Sequence, residues 1–490
     1  RGARRAIEAR GGSIVCFAGA GLDDPDLERR ARGRIFDFVD RSRFDGILCL
    51  STVLGHYVGV PGIERWLLQR ELMACSVGPA EHVPSVMVDD ATGITQLTRH
   101  LIRHHQHRHI AFVTGNPSNA EAQRRLSAYI QVLTDHGLTF DPRLTITGDF
   151  TPESGARAVH ELLDARHVRL DELDAVVCSN DSMAFGVIEE LRQRGIPVPD
   201  GVAVVGFDDV PAARTHQPSL TTVRQPLEDL GRKAAVRLLG LLDGGTAEGA
   251  AMLDCELVLR RSCGCVPTEL PAPVDEHETL LELAGRHVAG LSLEDALAQE
   301  LHGAPGAFTR VLEPYLQRFA LGNTKKLEQG RRFADELAAR VRLAREDLVH
   351  QRLSRLARVL HQRMFGPEVG IAQALAEHMP EFGLYACAVS QLVARQPGDS
   401  RDTLRYAFGF DAHGAERPNE PFDARDLLPP SFDELGNASS LVLPLTFGKD
   451  TLGIAVLPPS DRDGPFYEVL AELLGTVLKV LELRRGTERG

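Results

Sequence analysis

The chain has 490 residues, of which 43% are hydrophobic and 25% charged, a composition that suits roughly two to four soluble globular domains. Its formal net charge of −13 argues against a surface built to hold nucleic acid, since phosphate binding needs clustered positive charge. No apolar run approaches the roughly 18–20 residues that span a bilayer, and Arg1-Gly2-Ala3-Arg4-Arg5 leads into a helical pattern with no visible signal peptide. A cytoplasmic chain outside any membrane is expected.

Residues 1–265 alternate short apolar runs with amphipathic helical stretches. The apolar runs fall at 13–17, 46–50, 73–77, 109–114, 144–147, 175–178 and 202–207. Several are β-branched and almost continuously apolar, as strands buried on both faces of a parallel sheet should be. Helical stretches at 119–136, 154–165 and 182–195 lie between them, which predicts a doubly wound α/β fold. The eight cysteines are scattered, and Cys16, Cys49, Cys75, Cys178 and Cys387 sit in apolar runs. That pattern predicts buried free thiols in a reducing compartment.

At 266–275 the composition shifts, and Val266-Pro267-Thr268-Glu269-Leu270-Pro271-Ala272-Pro273 reads as a linker. Residues 276–364 are helical and strand-poor. Within them Phe333, Leu337, Val341, Ala344, Leu348, Leu353, Leu356 and Leu360 recur at spacings of mostly three and four, an approximate heptad seam. Two readings stay open: a helix packed on its own domain, and a parallel coil that makes a homodimer. In the second, Leu337, Val341, Leu348 and Leu360 form the buried stripe. Residues 365–490 return to a mixed α+β pattern, with strands at 384–392, 403–408, 439–446 and 451–457 and a closing helix at 466–483. Gly448-Lys449-Asp450 is a hairpin signal.

Several segments then line up in a meaningful order. They are Val88-Asp89-Asp90, His107-Arg108-His109-Ile110-Ala111-Phe112-Val113-Thr114-Gly115, Arg125-Leu126-Ser127-Ala128-Tyr129 and Gly148-Asp149-Phe150-Thr151, followed by the stretches at 174–186, 204–209 and 218–226. The ordered set resembles the ligand-binding module of the LacI/GalR family of transcriptional repressors, over about 1–262. The resemblance implies a periplasmic-binding-protein-like fold: two α/β lobes with parallel sheets, three crossing segments, and a ligand between the lobes at the strand ends. Lobe closure would be the signal. It also implies a first strand and a DNA-reading helix-turn-helix before residue 1. Gln106 stands where the family has Gly, which predicts a looser helix end. Arg260-Arg261-Ser262-Cys263-Gly264-Cys265 resembles the close of such modules in sensors that continue through a helical segment into a GAF-like domain, here 365–490.

Sugar-like recognition asks for bidentate hydrogen-bonding groups and an aromatic platform. The resemblance places Arg125 at the family's ligand-binding arginine and Phe150 at its stacking aromatic. A helix-surface arginine and a core phenylalanine are the alternatives. Asn180 and Asp208 end apolar strands and can reach a ligand, or can serve as an N-cap and a turn former. Ser51 and Ser76 end strands of the other lobe and are weaker candidates.

Other features carry less. His100 and His104 lie one helical turn apart, and Cys263-Gly264-Cys265 has Cys255 nearby, but each set is too small to predict a metal site. No cofactor is expected. No Walker loop, Gly-x-Ser-x-Gly elbow, His-Glu-x-x-His or dinucleotide fingerprint appears, so no enzyme activity is expected. The leading expectation is a ligand-sensing regulator for a small sugar-like effector, touching DNA only through a segment outside this chain. The alternative is the sensor part of a signalling enzyme, a histidine kinase or diguanylate cyclase, whose output domain lies outside it. A transport binding protein fits less well, given the long C-terminal extension.

Overall fold

The computed structural model describes residues 1–246, 249–265, 349, 352–364, 368–393, 402–411, 421–429, 432, 438–460 and 464–487. They belong to two units, Arg1–Met87 with Leu227–Leu253 and Val349–Gly490, and Val88–Pro226 with Asp254–Leu348.

The first unit holds two sheets. β2 (Gly46–Leu50), β3 (Met73–Val77) and β4 (Ser85–Val88) run parallel, and β10 (Ala250–Leu253) completes the order β10-β4-β3-β2. The run at 13–17 does not join this sheet. Instead β1 (Val15–Phe17) lies parallel to β15 (Ser440–Phe447), with Val15 opposite Ser440 and Phe17 opposite Val442. The Ser440 N–H donates to the Ile14 carbonyl and the Ala18 N–H to the Val442 carbonyl. A three-residue strand makes too few ladder bonds to dictate its sheet, so it follows the edge that offers backbone partners. Cys16 on it is exposed, contrary to the expected buried thiol, while Cys49, Cys75, Cys178 and Cys387 are buried.

That second sheet has the order β1-β15-β16-β12-β13-β14, with β12 at Cys387–Val393, β13 at Thr403–Phe410, β14 at Pro421–Asp423 and β16 at Asp450–Leu457. All pairs except β1–β15 are antiparallel. The β15–β16 hairpin turns at Gly448, whose φ of +56° suits glycine. One face packs on Ile35, Phe36 and Phe38 of the short helix Arg34–Phe38. The other is covered by helices at 352–363, Glu368–His378 and Gly464–Thr487. Leu353, Leu356 and Leu360 are buried in that core. This corrects the place of Leu360 in an intermolecular stripe: its own domain covers it. Phe333, Leu337, Val341, Ala344 and Leu348 lie outside the described residues, as does the rest of 276–348.

In the second unit β5 (Ile110–Thr114), β6 (Thr145–Thr147), β7 (Ala175–Cys178) and β8 (Ala203–Val205) form a parallel sheet, ordered β6-β5-β7-β8. Side chains alternate across it, as the period of two requires. Ala111, Val113, Val176, Cys178 and Val204 face helices Pro152–His160 and Asp181–Gln193. Ile110, Phe112, Ala175, Val177 and Val205 face helices Asp90–His104 and Ala120–Asp135. Both faces are thus dry, which explains the nearly continuous apolar runs. A small antiparallel ribbon, β9 (Thr222–Arg224) with β11 (Glu256–Val258), lies beside them. Gln106 does take the left-handed conformation, φ +60°, and its side-chain amide donates to the Arg103 carbonyl at 2.7 Å. Among the described residues no helix is long and apolar enough to cross a membrane.

Candidate ligand site

Parallel strands place the residues that follow them at one edge of the sheet, and four of the predicted site residues gather there. Arg125 sits on helix Ala120–Asp135, which is capped by the Asn119 side chain accepting the Ala122 N–H. It is 3% exposed, so it is no surface arginine. Its Nη1 donates to the Ser179 carbonyl at 2.7 Å, and its guanidinium carbon lies 3.9 Å from the centre of the Phe207 ring. Its Nε is 3.6 Å from Asp90 Oδ2. The neighbouring Arg124 grips the same carboxylate with Nε and Nη2, each at 3.1 Å.

Asp208 follows Phe207 at φ +123° and bridges to Arg224, and Asp209 continues at +55°. The two carboxylates diverge in environment. Asp209 is held by Arg224 and Arg260, each at 2.7 Å. Asp208 accepts from the Gln225 amide. Burial pushes its carboxyl up to about 6, against the pull of Arg125 and Gln225 and with the push of Glu121. Burial also raises Glu121, again opposed by Arg125.

Asn180 does two things at once. Its Oδ1 accepts the Met183 N–H as the N-cap of Asp181–Gln193, and its Nδ2 donates to the Phe150 carbonyl at 3.0 Å. That bond braces Phe150 at φ +68°, a left-handed conformation rare outside glycine. The Phe150 ring lies on Gly115, where a Cβ would come within 2.0 Å of ring carbon. The ring is half-buried against the core. Asp208, Arg125, Ser179-Asn180 and Phe150 therefore form one connected set. Spare capacity lies in the same place: Thr114 Oγ1, Ser179 Oγ and Arg125 Nε are buried without a hydrogen-bond partner among the described residues.

Ser51 and Ser76 belong to the first unit and meet each other there. Ser76 Oγ donates toward Ser51 Oγ at 2.9 Å, and Ser51 Oγ lies 3.1 Å from the Pro79 carbonyl. Asp90, Glu121 and Gln225 escaped the sequence reading. Asp90 was legible in part, because Asp89 takes the cap by accepting the Thr92 N–H and leaves the next carboxylate without that task. Glu121 and Gln225 gave no comparable signal.

Asp181 is a third raised carboxyl, wholly buried. Thr222 Oγ1 donates to its Oδ1 at 2.5 Å and the Val210 N–H to its Oδ2 at 2.9 Å. Burial first, then the charges of Asp208 and Asp209, push it up to about 8 despite those donors. A carboxyl raised in the folded state binds more protons there than in the unfolded chain. Stability then falls as pH rises from about 4 to about 8, by roughly 1.4 kcal/mol per pKa unit of separation. Asp181→Asn should flatten this slope in urea titrations at pH 5 and 8. An unchanged slope would mean that Asp181 ionises normally.

Residues 98–263 match the family described as periplasmic binding protein-like domain. The HTH-type transcriptional repressor CytR of Escherichia coli strain K12 is 30% identical over 232 residues, covering 47% of this chain and 66% of the relative. The HTH-type transcriptional regulator CelR of Thermobifida fusca is 37% identical over 185 residues, 38% of this chain and 53% of the relative. A solved LacI family transcriptional regulator from Mycobacterium smegmatis shares 25% identity at a TM-score of 0.47, over 54% of this chain and 92% of that one. The chain thus spans 66% and 53% of the length of the two curated relatives. Its segment 98–263 matches a periplasmic binding protein-like domain, and the chain is similar there to HTH-type transcriptional regulators.

Proposed function

We propose that this chain senses a small polar effector of the sugar class and passes the bound state to transcriptional control. The observation that supports this most is a buried arginine fork, held by the Ser179 carbonyl, whose charge pulls down the carboxyl of strand-end Asp208, beside the half-buried Phe150 ring. Vicinal hydroxyls can accept from the fork and donate to the carboxylate, and the apolar face of a sugar ring can lie on the aromatic. The relatives are regulators rather than enzymes, in keeping with binding without chemistry. A thermal-shift screen of sugars, nucleosides and phosphorylated metabolites tests the reading. A neutral sugar that raises the midpoint in wild type, and does so less in Asp208→Asn, is the expected result. Stabilisation by anionic metabolites alone would set the sugar class aside.

A second reading has one observation behind it. The C-terminal antiparallel sheet, which we read as GAF-like, has its own core and lies outside the matched segment 98–263. That layout also suits the sensor part of a histidine kinase or diguanylate cyclase. The gene on either side separates the two: a helix-turn-helix upstream favours the regulator, a catalytic domain downstream the enzyme.

A further inference from the structure

The two histidine and cysteine motifs that are separately too small to hold a metal come together in the second unit. Helix Asp90–His104 carries His100 in its last turns, and His105 caps it. The short helix Arg261–Cys263 and the turn after it bring Cys263 and Cys265 to the same spot. His100 Nε2 and His105 Nε2 are 3.1 Å apart. Cys265 Sγ lies 3.3 Å from each of them, and Cys263 Sγ lies 3.8 Å from His100 Nε2. One donor atom from each of the four residues falls within 4.8 Å of all the others. His104, the partner suggested by the helical spacing, stacks on the His100 ring instead, and Cys255 is not in the group.

We propose that His100, His105, Cys263 and Cys265 form a closed, four-coordinate site for a borderline-soft divalent cation of the zinc type. Zinc bonds of about 2.3 Å to sulfur and 2.0–2.1 Å to nitrogen imply tetrahedral edges of about 3.3–3.8 Å. Of the six edges, the nitrogen–nitrogen edge of 3.1 Å is slightly short of that cage, the three sulfur–nitrogen edges of 3.3, 3.3 and 3.8 Å lie within it, and the other two are within 4.8 Å. A plain hydrogen-bond cluster explains them less well. Each Nε2 has a single in-plane hydrogen or lone pair, so three mutually short edges among His100, His105 and Cys265 exceed what pairwise bonds can satisfy. One central cation uses all of them at once. Two thiolates also cancel the ion's charge, which lowers the cost of holding it in a partly buried place.

The surroundings favour this arrangement. Gly264, at φ +97°, makes the left-handed step between the two cysteines. A Cβ there would come within 3.4 Å of the His105 ring. The Thr221 hydroxyl lies 3.0 Å from Cys263 Sγ and can donate to a thiolate. His107 stacks on His105, with ring centres 5.5 Å apart. With four protein ligands no position is left for a substrate, so the ion is structural. It clasps Cys263, the last residue of the matched segment, and Cys265 just past it to the helix that leads into β5. The ligand site lies past the far end of that strand, beyond Thr114.

The test uses the full chain, prepared under reducing conditions, loaded with zinc and desalted. The wild type should retain about one ion per chain, and zinc should protect two of the eight thiols from a thiol reagent. Cobalt in place of zinc should give the visible bands of a tetrahedral ion and sulfur-to-cobalt charge transfer. Cys263→Ser/Cys265→Ser should abolish the charge transfer, and His105→Ala should weaken zinc on the order of tenfold or more, while His104→Ala leaves both unchanged. The wild-type measurements stand even if a variant fails to fold. A wild type that holds no stoichiometric metal, gives only a six-coordinate cobalt spectrum, or yields a Cys263–Cys265 disulfide from the reduced preparation would overturn the proposal.

Discussion

Arg125→Ala should destabilise the unit built on residues 88–226 by about 3–5 kcal/mol, the range for breaking a buried ion pair from one side. The side chain is 3% exposed and serves four partners: the Ser179 carbonyl, the Phe207 ring and the Asp90 and Glu121 carboxylates. Removing it strips Asp208 of the charge that holds its pKa down, so that carboxyl should rise above about 6 and stay protonated at neutral pH. Asp90 keeps Arg124, which limits the loss. Arg124→Ala is the matched control. That side chain is 33% exposed, and its loss should cost less than the loss of Arg125. Urea unfolding of the three proteins reads the difference directly. Equal destabilisation by both substitutions would mean that Arg125 is not the centre of the cluster.

Leu360→Ala should cost the C-terminal domain about 2–5 kcal/mol, the range for a large-to-small change in a packed core. Leu360 is fully buried beside Leu356, Met364, Ile371 and Leu375, and it packs over the antiparallel sheet. The loss should appear in thermal unfolding and leave the sedimentation behaviour of the chain unchanged. A variant that keeps its stability but dissociates would return Leu360 to an intermolecular seam. The proposed homodimer is a separate question, since Leu337 and Leu348 lie outside the described residues. Sedimentation equilibrium on Leu337→Asp/Leu348→Asp addresses it.

What the sequence revealed, and what it hid, follows from the physics of each element. The second unit was legible because its strands are buried on both faces. Runs such as Ile110–Thr114 and Ala175–Cys178 therefore stand out as unbroken apolar stretches. Asn180 and Asp208 were legible as the polar residues that end such runs. The sheet that β1 joins was not legible, because Val15–Phe17 holds three residues and its partner Ser440–Phe447 lies more than four hundred positions away. The end of the seam at 353–360 follows the first of its two readings. Spacings of three and four mark a helix face, and Leu353, Leu356 and Leu360 show that the covering surface here is the chain's own sheet. Gln225 was hidden, and Asp90 legible only in part, because their roles depend on contacts with Asp208 and Arg124, distant in sequence. The four-residue histidine and cysteine cluster was hidden likewise, since 163 positions separate His100 from Cys263.

Calorimetric titration of the effector found by screening, at pH 5 and pH 7, into wild type and Asp208→Asn, tests the central claim most directly. With its carboxyl raised to about 6, Asp208 must lose a proton before it can accept hydroxyls as a carboxylate. Wild-type affinity should therefore rise between pH 5 and pH 7 by on the order of tenfold, with net proton release near pH 6. Asp208→Asn should bind more weakly at pH 7 and lose the pH dependence. Affinity that is the same at both pH values, and the same in the variant, would contradict an effector site built on Arg125 and Asp208.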